Sequence, residues 1–140
     1  MDSLAHDMAE AFRLAPPDLR RRAADFAAEW ALARSGLAHP VFANGSADQV
    51  AALVTELDGR YFAVAESREV GQATTEGVVV TFSQARAANA VELLLRGELA
   101  EAIYEAAAAA EDWSELRASV LSLLVVPQNT EPSGAAGGGA

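Results

Sequence analysis

The sequence predicts an α+β fold: a helix-rich single domain in which about three helices precede a small antiparallel sheet of two or three strands, and about three helices follow it. Three observations support this. Apolar residues recur at helical spacing in the first and last parts of the chain. Two short aromatic and β-branched runs, at 61–65 and 78–82, lie between those parts. The 140 residues suffice for one domain, placed at 1–126, before a disordered Gly/Ala/Pro-rich tail at 127–140.

The first helices follow from apolar spacing and from proline and glycine punctuation. A helix is predicted over 3–15, and Pro16-Pro17 ends it. A second helix over 17–35 carries an apolar seam that continues just past its end, and Gly36 terminates the helix. The seam consists of Leu19, Ala23, Phe26, Trp30, Ala33 and Leu37. The two helices form a predicted αα-hairpin.

The middle of the chain is where the sheet is expected. A capping box at Ser46–Gln49 opens a third helix that runs to Leu57, and Asp58-Gly59 closes it. The runs 61–65 and 78–82 then read as strands, with 69–74 as a middle strand or the arm of a long hairpin. Two strands alone are marginally stable, so this sheet should pack on the helices.

The last three helices are predicted at 84–96, at 98–110 and from 112–115 to about Val125. Ser83 is the expected N-cap of the first, and Gly97 separates it from the second. Residues 96–104 resemble the middle of a tetratricopeptide-type helical hairpin, in which a Gly joins two helices and small residues let them approach closely. The resemblance covers one unit of about 25 residues, and such repeats need about three copies. It therefore implies a lone, tight αα-hairpin.

Composition limits the classes of function. The net charge is −10 and every basic residue is Arg, so a basic nucleic-acid-binding surface is not expected. The absence of Cys excludes disulfides, thiolate catalysis and cysteine-ligated metals. No signal peptide or membrane span is recognised, which predicts a cytoplasmic protein. The Arg, Ala, Gly and Val bias is typical of a GC-rich bacterial genome.

Aromatic residues make up only 6% of the chain, so each is expected to anchor the core. They are Phe12, Phe26, Trp30, Phe42, Tyr61, Phe62, Phe82, Tyr104 and Trp113.

Candidate chemistry is sparse. His6 and His39 have no triad-like neighbours, and no metal-binding motif is present. Glu98, Glu101 and Glu105 share a predicted helical face and are either divalent-cation ligands or a solvated acidic stripe. We therefore predict no catalytic residue, metal or cofactor, and an enzyme is the less favoured interpretation.

Two functions remain open. The first is a small acidic protein-interaction module, resembling an inhibitor, immunity protein or chaperone, that binds a partner, possibly basic, through helical and acidic surfaces; residues 84–140 hold three Arg and eight acids. The alternative is a small ligand-binding domain or enzyme with a pocket between the sheet and the flanking helices. Its candidate residues, Arg60, Tyr61, Glu66, Arg86 and Tyr104, complete the site prediction with Glu98, Glu101 and Glu105. A homodimer through the Phe26–Trp30 seam or an alanine face is a third possibility.

Overall fold

Seven helices make up the part of the chain that the computed structural model describes, residues 2–71 and 74–125, with side chains described from His6 onward. They are α1 (Asp2–Leu14), α2 (Pro17–Ser35), α3 (Val41–Asn44), α4 (Ala47–Glu69), α5 (Thr75–Leu95), α6 (Leu99–Ala108) and α7 (Ser114–Leu124). The predicted disordered tail at 127–140 lies outside the described residues.

The α+β prediction is wrong, because none of the described residues forms a strand. Residues 61–65 lie inside α4 and residues 78–82 lie inside α5. Short apolar runs fit a buried helix as well as a strand. Here α4 continues through the first run, and α5 begins three residues before the second. The third predicted helix does not close at Asp58-Gly59, since Gly59 keeps a negative φ and α4 extends to Glu69.

The start of α5 was also predicted at the wrong residue. Thr74, not Ser83, is the N-cap, and its side-chain oxygen accepts a hydrogen bond from the Gly77 amide at 3.0 Å. The predicted middle strand is absent where it can be assessed. Glu69 ends α4 and Gly71, with a φ of 83°, lies in a turn, while residues 72–73 are outside the described part.

Several helix ends were predicted correctly. At the start of α4, Gln49 N–H donates to Ser46 Oγ and Ser46 N–H donates to Gln49 Oε1, which completes the capping box. Gly36 and Gly97 end α2 and the α5 turn with φ values of 69° and 81°, a left-handed conformation that favours glycine. These residues set the bends that fold the chain back on itself.

Helix α5 is central to the packing. It contacts α4 on one side and both α2 and α6 on the other, while α2 also contacts α6 and α7. Helix α1 packs mainly on α7 rather than on α2, so the predicted hairpin of the first two helices is wrong. Helix α4 packs mainly against α5 and also contacts α3.

More than half of the buried hydrophobic residues are alanine, which lets the helices approach closely. In α2 the buried stripe is Ala23, Ala24, Ala27, Ala28 and Ala31. The predicted seam is thus displaced: Phe26 and Trp30 are only half-buried and Ala33 is exposed. In α2 the small residues, not the aromatic ones, face the centre of the bundle, whereas the predicted anchor Trp113 is buried in the core.

Among the described residues, α5 alone is long and apolar enough to cross a membrane by length and composition. Core helices of water-soluble proteins meet the same criteria. The cytoplasmic location therefore stays a prediction.

Candidate protein-binding face

The α4–α5 pair continues past the core. Leu57 is the last buried residue of α4 and Ala85 is the first of α5, and no described residue between them is buried. We call residues 58–69 of α4 and 75–84 of α5 the hairpin extension. At 1.5 Å per residue, the α4 arm is about 18 Å long. Within the described residues, no third element covers these two helical segments completely.

Large apolar side chains are exposed on the hairpin extension. The exposed fractions are 66% for Phe62, 41% for Val79, 43% for Val80 and 38% for Phe82. The Tyr61 ring contacts two of them, with its centroid 5.3 Å from that of Phe62 and 5.4 Å from that of Phe82. Val79 lines one hollow with Tyr61 and Phe82, and a second with Val80. We call these five residues the aromatic face. A continuous exposed apolar surface of this kind is typical of an interaction site.

A shallow groove runs beside the aromatic face. It consists of two adjoining hollows of about 410 and 390 Å³, which lie between α5 and the loop that joins α6 to α7. Both are lined by Val79, Ser83 and Glu111, so they form one continuous groove. Tyr61 lines one end and Arg34 the other. The groove extends the accessible apolar surface from the hairpin extension to the core.

An ion-pair cluster joins the hairpin extension to the core. Arg86 Nη1 donates to Glu105 Oε1 at 2.8 Å and Nη2 donates to Asp58 Oδ1 at 3.1 Å. Asn89 also donates to Glu105, at 3.0 Å, and the Arg86 guanidinium lies 5.7 Å from the Phe82 ring centroid. Because two carboxylates already offset its charge, Arg86 serves to tie α4, α5 and α6 together.

The structure brings together only some of the predicted site residues. Arg86 and Glu105 are in contact and Tyr61 lies next to them through Phe82, but Asp58, which completes the cluster, was not predicted. Arg60 forms an exposed ion pair with Glu56 at 2.8 Å. No signal in the sequence pairs Asp58 with Arg86, since 28 residues separate them and the predicted turn put Asp58 at a helix end.

The other predicted residues lie elsewhere. Glu98 precedes α6, Glu101 is exposed on α6, and Glu66 is exposed on α4. Tyr104 lines a separate cavity of about 240 Å³ between α1, α6 and α7, whose walls include Phe12, Ile103 and Leu124. Of the three glutamates predicted to share a helical face, Glu105 is engaged by Arg86 and Asn89, and no group of three potential metal ligands occurs among the described residues.

The histidines occupy positions without catalytic neighbours in the described part of the chain. His39 Nδ1 accepts a hydrogen bond from the Val41 amide at 3.1 Å, which supports the turn into α3. His6 is exposed on α1. The predicted pocket between a sheet and the helices does not occur, because the described residues contain no sheet.

Phe62, Phe82 and Tyr104 were predicted to anchor the core and are exposed instead. A helical interpretation of 58–69 could have indicated this for Phe62, since Asp58, Phe62, Glu66 and Glu69 fall on one side of such a helix with few apolar residues beside them.

Comparisons with protein-family models, with curated proteins and with solved structures found no match. The functional interpretation therefore depends on the geometry described above.

Proposed function

We propose that the protein is a small protein-binding module that uses the aromatic face of its hairpin extension to dock an apolar segment of a different protein. The observation that carries this proposal is the exposure of Phe62, Val79, Val80 and Phe82 on the hairpin extension, where no described residue is buried. Burying an aromatic side chain removes about 150–250 Å² from water, so covering this face is favourable.

The charge of the chain favours a different protein over a second copy as the occupant. At a net charge of −10, two copies repel each other as they approach. The hairpin extension contributes to this, because Glu66, Glu69 and Glu76 take part in no ion pair within the described residues. A partner with fewer acids, or with basic residues, would meet no such barrier.

The proposal includes the inhibitor-like, immunity-protein-like and chaperone-like roles, all of which act by covering a partner's surface. It does not include catalysis. The polar cluster closest to the aromatic face, around Arg86, holds three helices together, and both carboxylates in it are paired with Arg86.

A direct test is selection of phage-displayed random peptides on the immobilised full-length chain, followed by sequencing. We expect enrichment of peptides with two or more large apolar residues. Phe62→Ser and Val79→Ser should each abolish that enrichment. Leu14→Ser is the matched control, because Leu14 is 68% exposed but lies on α1.

Circular dichroism should show unchanged helicity for all three variants, since each replaces an exposed side chain. Enrichment that survives Phe62→Ser and Val79→Ser, or that Leu14→Ser removes equally, would contradict the proposal.

A further inference from the structure

The groove beside the aromatic face has an acidic lip. Glu111 lines both hollows and takes part in no ion pair or hydrogen bond within the described part of the chain. Asp112 lines the hollow nearer α2. Arg34 is the basic residue at this lip, and its charge is compensated by Glu115, whose Oε1 lies 3.2 Å from Arg34 Nη2. The lip is therefore net negative.

Two helix C-termini add to that negative potential. Helix α2 ends at Ser35 and α6 ends at Ala108, and both residues line the groove. Side chains of α5 fix both ends in place: Gln84 donates to the Ser35 carbonyl at 3.3 Å, and Ser83 donates to the Ala109 carbonyl. The C-terminal end of a helix carries partial negative charge and attracts cations.

The lining of the same groove is mostly apolar. It includes Val79 and Phe82 of the hairpin extension, and Ala108 and Ala109 at the end of α6. An occupant must therefore satisfy two conditions at once, apolar contact with this lining and positive charge beside Glu111 and Asp112. A purely apolar segment meets only the first, and a flexible polybasic segment meets only the second.

We infer that the segment docked on the aromatic face carries an Arg or Lys next to its apolar anchors, and that this cation lies in the groove against Glu111 and the ends of α2 and α6. This inference rests on the proposed function and names the chemistry of its partner. Charge complementarity selects a basic apolar segment over a second copy of this acidic chain.

Three small probes of similar length and shape test the inference on the full-length protein: phenethylguanidinium, its neutral isostere phenethylurea, and the anion 4-phenylbutanoate. Dissociation constants come from amide chemical-shift changes at Val79, Ala110 and Glu111 during NMR titration in low salt. We expect the cation to bind about two- to fivefold more tightly than the urea, the range for an exposed ion pair. The anion should bind most weakly.

Glu111→Gln is the decisive variant because it removes one charge from an exposed residue and keeps the shape of the side chain. It should reduce the preference for the cation, because Asp112 and the ends of α2 and α6 remain in the groove, and it should leave phenethylurea binding unchanged. Raising the salt concentration should reduce the preference in the wild-type protein. The matched control is Glu101→Gln, an exposed glutamate of α6 away from the groove, which should leave the preference intact.

The outcomes separate the two proposals. Equal binding of cation and urea at these amides would overturn the inference while the aromatic face remained a docking site. Equal reduction of the preference in both glutamate variants would also overturn it, because the effect would then be net charge alone. The absence of any shift with all three probes overturns the cation site, and the peptide selection then decides the docking function separately.

Discussion

Arg86 is the side chain on which the junction between the core and the hairpin extension depends. It is 24% exposed and bridges Asp58 on α4 and Glu105 on α6. Removing one member of a partly buried cluster leaves the other charges without partners. The cost should therefore exceed that of breaking an exposed pair on one helix.

Arg86→Met should lower the free energy of unfolding by about 1–3 kcal/mol, because Glu105 loses its cationic partner while half-buried. Arg60→Met is the control: it breaks the exposed Arg60–Glu56 pair and should cost less than about 0.5 kcal/mol. Urea denaturation of both variants measures the difference. Equal losses would mean that the Arg86 cluster adds nothing beyond an exposed ion pair.

Asp112 gives the start of α7 a pH dependence. The Ser114 hydroxyl and then the Ser114 amide donate to its carboxylate, and these bonds hold the pKa of Asp112 below its ordinary value of 3.8. A carboxyl whose pKa is lowered on folding adds stability above its unfolded pKa, and that stability is lost as the pH falls through the folded value.

Asp112→Ala should therefore reduce stability at neutral pH, and the difference from wild type should shrink as the pH falls below about 4. Urea midpoints measured between pH 7 and pH 2.5 check this. A difference that stays constant across that range would show that the charge of Asp112 does not stabilise the start of α7.

The start of helix α4 could be predicted from the sequence, and its end could not. Its start was predictable because Ser46 and Gln49 satisfy local backbone groups, and local hydrogen bonds depend on nearby residues only. Its end was not, because Asp58-Gly59 is typical of a turn and the short apolar run at 61–65 fits a strand as well as a helix. The Arg60–Glu56 pair and the packing of α4 against α5 keep the helix continuous.

The site was predictable only in part for the same reason. Arg86, Glu105 and Tyr61 were chosen for their residue types, which the sequence displays directly. Their arrangement depends on Asp58 and on two continuous helices, and those are set by contacts between distant parts of the chain. The exposure of Phe62 likewise depends on the absence of a third helix over the described hairpin extension.

Gly59 distinguishes the helical structure from the turn that the sequence suggests. It lies within α4 with a negative φ, and a Cβ added there would meet no atom within 4 Å. Gly59→Ala should therefore stabilise the protein by about 0.5–1 kcal/mol, the gain for an exposed helix interior. Thermal and urea unfolding measure it.

Gly36→Ala is the control for that substitution. Gly36 has a φ of 69°, so alanine there should destabilise by about 1 kcal/mol. Destabilisation by Gly59→Ala of similar size would show that residue 59 forms a turn and that α4 ends earlier.

Burial is distributed unevenly across the protein. The centre, formed by α2, α5 and α6, is packed with alanine and excludes water, while the hairpin extension has no buried residue in its described part. Regions with few buried contacts open most readily, and binding surfaces are often drawn from them. The protein therefore combines a well-packed core with a weakly held pair of helices, whose exposed apolar side chains form the proposed docking surface.

Residue-resolved amide hydrogen exchange, with Cα chemical shifts from the same samples, tests whether α4 and α5 are continuous helices that are held more weakly beyond the core. We expect helical shifts at 61–65 and 78–82, together with slow exchange at Val50, Leu53 and Leu57 that becomes progressively faster towards Glu69. Adding a selected peptide should slow exchange in the hairpin extension and leave the core unchanged. Strand-like shifts in the two segments, or exchange as slow at 62–69 as at 50–57 in the free protein, would contradict the account.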